Sequence, residues 1–279
     1  MAALAALRRL PEAGAGRSPF VGFGDPFFAA EQAETAVAAA EPAPGSTAMR
    51  GAVSLRSVYR GDNVAAGELA QLQRLPDTAP EVLSIAEALE SDPEKTVFLG
   101  RDANEARVKA MDLSAYKVIT FATHGLAPGD LEGLTQPALA LTAPDVAGEE
   151  GDGLLTMEEI LNLKLDADWV VLSACNTASG DGAGAEAVSG LGQAFFYAGT
   201  RALLASNWPV ETTSAKALTT DIFRRQAADP ALPRAEAVRL AAVDLMENGS
   251  FKDPETNRPV FSFAHPLFWA PFSLVGDGQ

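Results

Sequence analysis

Only one cysteine, Cys175, occurs among the 279 residues, so no intramolecular disulfide can form. Histidine is nearly as scarce: His124 and His265, with a single cysteine, cannot complete a Cys/His zinc cage. Basic residues are outnumbered, 21 Lys and Arg against 37 Asp and Glu, for a formal net charge of −16. So acidic a chain repels phosphate backbones and anionic lipid alike, and no local basic patch offsets this. The expectation is therefore no nucleic-acid partner and no membrane partner. No apolar run approaches the roughly 18 to 20 residues that span a bilayer. The opening MAALAALRRLPEAGAG places its short apolar patch before its arginines, the reverse of a secretory signal. These absences predict a reducing, cytoplasmic compartment. With 47% hydrophobic residues, the chain is long enough to bury one large core or two small ones.

What is present is a regular alternation. Residues 1–17 read as a linker or the end of an upstream region, and 18–28 begin with an apolar strand that stops at Gly24-Asp25-Pro26. Residues 29–51, mainly Ala, Glu, Pro and Thr, read as a mobile loop in which 30–40 can hold a helix. TAPEVLSIAEALE (78–90) predicts an amphipathic helix with Thr78 as N-cap and Glu81 three residues on. Strands are predicted over 95–100, 116–123, 137–142, 168–174, 200–208 and 265–276. Helices are predicted over 103–114, 212–229 and 234–248; the segment 153–165 carries a helix entered at Thr156, and 179–199 reads as a Gly-rich turn feeding a helix. His265-Pro266 and Trp269 are expected to pack and start the final strand. Near-continuous apolar strands alternating with helices imply a mostly parallel sheet covered on both faces.

The rare residues fall at informative places. Ligands of such sheets bind at the carboxyl ends of the strands, where strand order reverses. His124 follows the end of one buried strand, and Cys175 follows the end of another. If those strands are neighbours, an imidazole there can take the thiol proton and leave a nucleophilic thiolate. Singly, each residue has an ordinary structural reading, the cysteine as a small buried hydrophobe and the histidine as a hydrogen-bonded core group. The faintly phosphate-binding GFG (22–24) and GDGAGA (180–185) lack a P-loop lysine or a full dinucleotide fingerprint, and read better as mobile turns.

FATHG (121–125) and LSACNT (172–177) resemble the His and Cys motifs of caspase-like cysteine proteases, about 50 residues apart. Together with GFGDPFF, LPDTAPEV, GLGQAFFYAGTRALLASNWPV and HPLFWAPFSLVG, they make the run 18–276 similar to the CHAT domain, a bacterial relative of caspases and separase. Asn176 stands where the family often has Glu, and Glu211-Thr212 where it often has an acidic pair. The resemblance implies one protease domain over 18–279, a caspase-like three-layer sandwich with a central mostly parallel sheet flanked by helices.

It also implies roles. Cys175 would attack the peptide carbonyl, His124 would serve as base and then acid, and the N–H groups of Gly125 and Cys175 would hold the oxyanion. Glycine at 125 also suits a backbone approached closely by substrate. Asp130, Glu132 and Asp152 are candidate orienters of the histidine. Asp25, Ser173, Trp208 and Glu211 would line the pocket for the residue before the scissile bond. Caspases place an arginine there to receive Asp; here the pocket offers acid, which predicts cleavage after Arg or Lys. Asp25 can equally be a turn residue before Pro26, and Glu211 a helix N-terminal charge. The expected activity is thus a cysteine endopeptidase acting on protein or peptide substrates, without cofactor or metal site, with calcium dependence left open. An upstream helical-repeat or sensor region is the family's usual companion. The rival readings are a catalytically silent CHAT-like binding or scaffold module and a cysteine hydrolase of small amides or esters.

Overall fold

Seven residues, SPFVGFG, form the strand β1 (Ser18–Gly24) on which the rest of the fold is laid. The computed structural model describes residues 14–38, 66–173, 183–208, 210–253 and 255–279. After β1 come β2 (Val97–Leu99), β3 (Tyr116–Ala122), β4 (Gly125–Leu126), β5 (Ala138–Ala140) and β6 (Leu154–Thr156). They are followed by β7 (Trp169–Leu172), β8 (Ala202–Ser206), β9 (Ser250–Lys252), β10 (Pro259–Ser262) and β11 (Phe272–Gly276). The helices that matter here are α1 (Ala30–Ala38), α2 (Thr78–Ala88), α3 (Glu105–Ala110), α4 (Met157–Asn162), α5 (Ala183–Ala198), α6 (Thr212–Ala228) and α7 (Arg234–Asn248).

The main sheet runs β11-β8-β7-β3-β1-β2. Its pairs are parallel except β11, which lies antiparallel on β8. Side chains alternate across the strands and feed two separate cores. On one face Val21, Phe23, Ile119, Phe121, Val170 and Leu172 meet Val108 of α3, Ile160 of α4 and Phe195 of α5. On the other, Phe20, Val118, Ala122, Val171 and Leu204 meet α2, α6 and α7. Burial on both faces explains why β3, β7 and β8 read as near-continuous apolar runs. The result is the three-layer, mostly parallel α/β sandwich expected of a caspase-like fold.

Glycine in β1 has a packing role. A Cβ at Gly22 would lie 2.4 Å from Val82 Cγ1 of α2 and 2.6 Å from the Phe20 ring. One at Gly24 would lie 3.0 Å from Val82 Cγ2. The GFG sequence is therefore neither a phosphate cradle nor a mobile turn but the bare strip that lets α2 sit close on the sheet.

Several elements differ from their predicted form. Thr78 is already inside α2, and the N-cap position falls to Asp77 without a side-chain cap bond. The Thr78 hydroxyl is otherwise engaged: it accepts from the Asp25 N–H at 2.7 Å and donates to the Leu75 carbonyl at 2.7 Å. The helix in 153–165 is entered at Thr156 as expected, where Thr156 and Glu159 close a capping box; the short strand β6 before it was not expected. β4, β5 and β6 form a separate three-stranded antiparallel sheet. The strand over 95–100 shortens to β2, since Asp92 caps a single helical turn at Pro93–Thr96. His265 likewise caps the turn Pro266–Trp269, and β11 begins only at Phe272. The β9–β10 hairpin has no counterpart in the sequence reading, its strands being only three and four residues long. In the predicted loop 29–51, Ala30–Ala38 is helical and 39–51 lies outside the described residues.

Candidate active site

Strand order fixes where a site can form. The sequence β2-β1-β3-β7-β8 reverses direction between β1 and β3, so the carboxyl ends of these two strands flank the crevice of the sheet. Gly24 pairs with Ala122, which sets Asp25 and the Thr123-His124 pair on that edge. Phe121 pairs with Leu172, and the Ser173 N–H donates to the Phe121 carbonyl at 3.1 Å. The strands of His124 and of the cysteine motif are thus direct neighbours. Cys175 itself lies outside the described residues, as do 180–182 of the turn expected over 180–185, whereas 183–185 begin α5 and are helical.

His124 is buried, 6% exposed, with its ring centroid 5.4 Å from that of Phe28. Its Nε2 sits 2.7 Å from the Gln73 carbonyl oxygen. A carbonyl only accepts, so Nε2 carries the proton and, in the neutral ring, Nδ1 keeps the lone pair. Burial holds the imidazole below its ordinary pKa, against the Gln73 carbonyl, which favours the charged ring. The group that orients His124 is therefore a backbone carbonyl from the segment before α2. A sequence pattern gives no sign of it, because any residue supplies that atom. Two of the candidate carboxylate orienters serve nearby backbone: Asp130 accepts from the Ala127 N–H at 2.7 Å and Asp152 accepts from the Leu154 N–H at 2.9 Å, whereas Glu132 Oε1 is buried without a hydrogen-bond partner among the described residues.

Gly125 follows in β4. The Ala140 N–H donates to the His124 carbonyl at 2.9 Å, which makes Gly125–Leu139 the non-hydrogen-bonded kind of antiparallel pair. In such a pair the N–H of Gly125 points away from β5.

Asp25 is buried, 5% exposed, and adopts the left-handed region at φ 49°. Its carboxylate takes the Arg74 guanidinium in a two-point fork, Nε to Oδ1 at 2.8 Å and Nη2 to Oδ2 at 2.6 Å. The guanidinium carbon also lies 4.9 Å from the Phe27 ring centroid. Burial pushes the Asp25 carboxyl above the ordinary carboxylate range, and Arg74 draws it only part of the way back. Asp77 adds a second negative charge close enough to raise Asp25 further.

The remaining expected pocket residues divide. Ser173 is fully buried and donates its hydroxyl to Glu81 Oε2 at 3.1 Å. Trp208 is half-buried, and its Nε1 has no hydrogen-bond partner among the described residues. Glu211 is the N-cap of α6: its two carboxylate oxygens accept from the N–H groups of Thr213 at 3.0 Å and Ser214 at 2.7 Å. That commitment is the helix-terminal alternative of the sequence reading. The residue passed over was Glu81, read as half of a capping box. It is wholly buried, bonds Ser173, and lies 3.3 Å from the Thr219 hydroxyl of α6. The signal was available, because Glu81 falls four residues before Ile85 on the apolar face of α2.

Fold and site together define the class: a caspase-like α/β domain with a histidine at the switch point of its sheet. The family model of the CHAT domain matches residues 2–277, nearly the whole chain. The chain belongs to the CHAT domain family, a protease-related branch of the caspase-like proteins. No curated protein matches it.

Proposed function

We propose that the chain is a cysteine endopeptidase that uses a Cys175–His124 dyad and cleaves after a basic residue, with arginine preferred to lysine. The observation that carries the reading is the pairing of β1 with β3, which sets a buried carboxylate, Asp25, beside a buried imidazole, His124, with a guanidinium already seated on the carboxylate. In this reading the Cys175 thiol gives its proton to Nδ1 of His124, the nitrogen left free by the Gln73 carbonyl, and the thiolate attacks the scissile carbonyl carbon. The N–H groups of Gly125 and Cys175 receive the oxyanion. The C–N bond then breaks, the imidazolium returns its proton to the leaving amine, and water hydrolyses the thioester. Asp25 recognises the side chain before the scissile bond. A planar fork matches both carboxylate oxygens, whereas an ammonium is a point charge, so Arg is favoured over Lys. Glu211, whose oxygens cap α6, is left out of the pocket.

Fluorogenic peptides ending in Arg, Lys, Asp or Leu test the reading. Arg peptides should turn over at least tenfold faster than Lys peptides. Cys175→Ala should abolish turnover, and Asp25→Ala should lower kcat/KM for Arg peptides on the order of 100-fold, as expected when one partner of a buried charge pair is lost. Turnover of Asp peptides in preference to Arg would overturn the pocket assignment. Absence of turnover, together with failure of Cys175 to react with an arginine-directed electrophile, would favour the silent scaffold.

A further inference from the structure

The guanidinium on Asp25 belongs to the chain itself, and the same short segment reaches both halves of the candidate site. Gln73 places its carbonyl on His124, and the next residue, Arg74, fills the Asp25 carboxylate. The segment is pinned on both sides of this apex. Leu72 and Leu75 are buried, at 5% and 7% exposure. The Gln32 side-chain amide of α1 donates to the Leu72 carbonyl at 2.8 Å, and the Thr78 hydroxyl holds the Leu75 carbonyl. Between the anchors Gln73 is exposed, and the Arg74 side chain keeps 23% of its surface. The Arg74 side chain can therefore leave Asp25 without dismantling a core.

Resting on the endopeptidase reading above, we propose that Arg74 is an internal occupant of the basic-residue pocket, whose side chain keeps the pocket closed to arginine substrates until it swings off Asp25, while the Gln73 carbonyl stays on His124. A purely structural ion pair would explain the short fork alone. It does not explain why the donor is a forked guanidinium backed by an aromatic ring, on a buried carboxylate at the carboxyl end of β1, one residue from the carbonyl that holds the histidine. An arginine substrate would need the same carboxylate and the same Phe27 face, so the two guanidinium groups are mutually exclusive. Apparent affinity for such a substrate falls by the fraction of molecules in which Arg74 has left.

The test measures binding, so that turnover is not required. In a Cys175→Ala background, a fluorescent peptide ending in Arg and its norleucine counterpart are titrated by anisotropy against chains carrying Arg74, Arg74→Gln or Arg74→Lys. Thermal melting confirms that each variant is folded. Arg74→Gln should bind the Arg peptide about 10- to 100-fold more tightly than the parent, and Arg74→Lys by a smaller factor. The norleucine peptide should bind all three alike, and adding Asp25→Asn to Arg74→Gln should erase the gain. If parent and Arg74 variants bind the Arg peptide equally, and Asp25→Asn weakens all of them, Arg74 is no competitor; the proposal falls while the pocket reading stands. If no variant prefers Arg over norleucine, the pocket reading itself fails and takes the proposal with it.

Discussion

At His124 two influences oppose each other: burial disfavours the charged ring, and the Gln73 carbonyl favours it. Burial wins, so the folded pKa lies below the unfolded value of 6.5. Well above pH 6.5 the ring is uncharged in both states and adds no pH dependence. As pH falls below 6.5 the unfolded chain binds the proton first, so stability is lost until the folded pKa is reached. The slope from this one group is at most about 1.4 kcal/mol per pH unit. Urea unfolding at pH 7.5, 6.5 and 5.5 should therefore show a steeper decline for the parent than for His124→Gln. Equal declines would mean the ring is not buried as neutral imidazole. At this scale the sequence marked out His124 and Asp25 by their positions after strands, and Ser173 by its place two residues before Cys175, but their partners were hidden. Gln73 acts through a main-chain atom, and Arg74 and Glu81 stand 49 and 92 residues from the groups they bind.

Among elements, the contact of α2 with β1 governs the geometry of the crevice, because α2 begins directly after the segment that holds Gln73 and Arg74. Glycine at 22 permits that contact. Gly22→Ala would place a methyl 2.4 Å from Val82 Cγ1, which requires α2 or β1 to move. Overpacking of this kind costs about 1–3 kcal/mol. Adding Val82→Ala should recover part of the loss, as measured by urea unfolding, since it removes one of the two colliding groups. No recovery would mean that the Phe20 ring, not the helix, sets the limit. The existence of α2, α5, α6 and α7 was legible because their apolar faces repeat at helical period. Boundaries moved where a local cap preempted the expected strand, as at Asp92 and His265. The β9–β10 hairpin escaped notice because strands of three and four residues carry too short an alternation.

The molecule as a whole separates its two edges. At the amino ends of the strands, Arg17 Nη2 bonds Asp168 at 2.9 Å, Arg201 bonds Asp166 at 2.8 Å, and Arg234 lies 3.6 Å from Asp277. This cluster ties residues 14–17 and the C-terminal residues to the starts of β7, β8 and α7. The Arg17 side chain is only 8% exposed, so the pair is shielded better than a surface bridge. Arg17→Ala should cost about 2 kcal/mol in urea unfolding by leaving Asp168 short of a partner. It should leave KM for Arg peptides within about twofold, because β1 carries the candidate site roughly 20 Å away at its other end. A large KM change would show that the two edges are coupled.

The sequence by itself determined the class of fold and the family. Apolar runs long enough to be buried on both faces, separated by helices of fitting period, leave a covered parallel sheet as the packing that satisfies them. The motif blocks around His124 and Cys175 then select the caspase-like branch. What only the tertiary structure decided is which charges meet. An ion pair or a hydrogen bond depends on distance in space, and strand order brings residues 25, 74 and 124 to one edge although no local pattern links them. For the same reason an acidic residue could be identified in the sequence as a candidate, but whether it caps a helix, as Glu211 does, or receives a guanidinium, as Asp25 does, followed from the chain that packs against it.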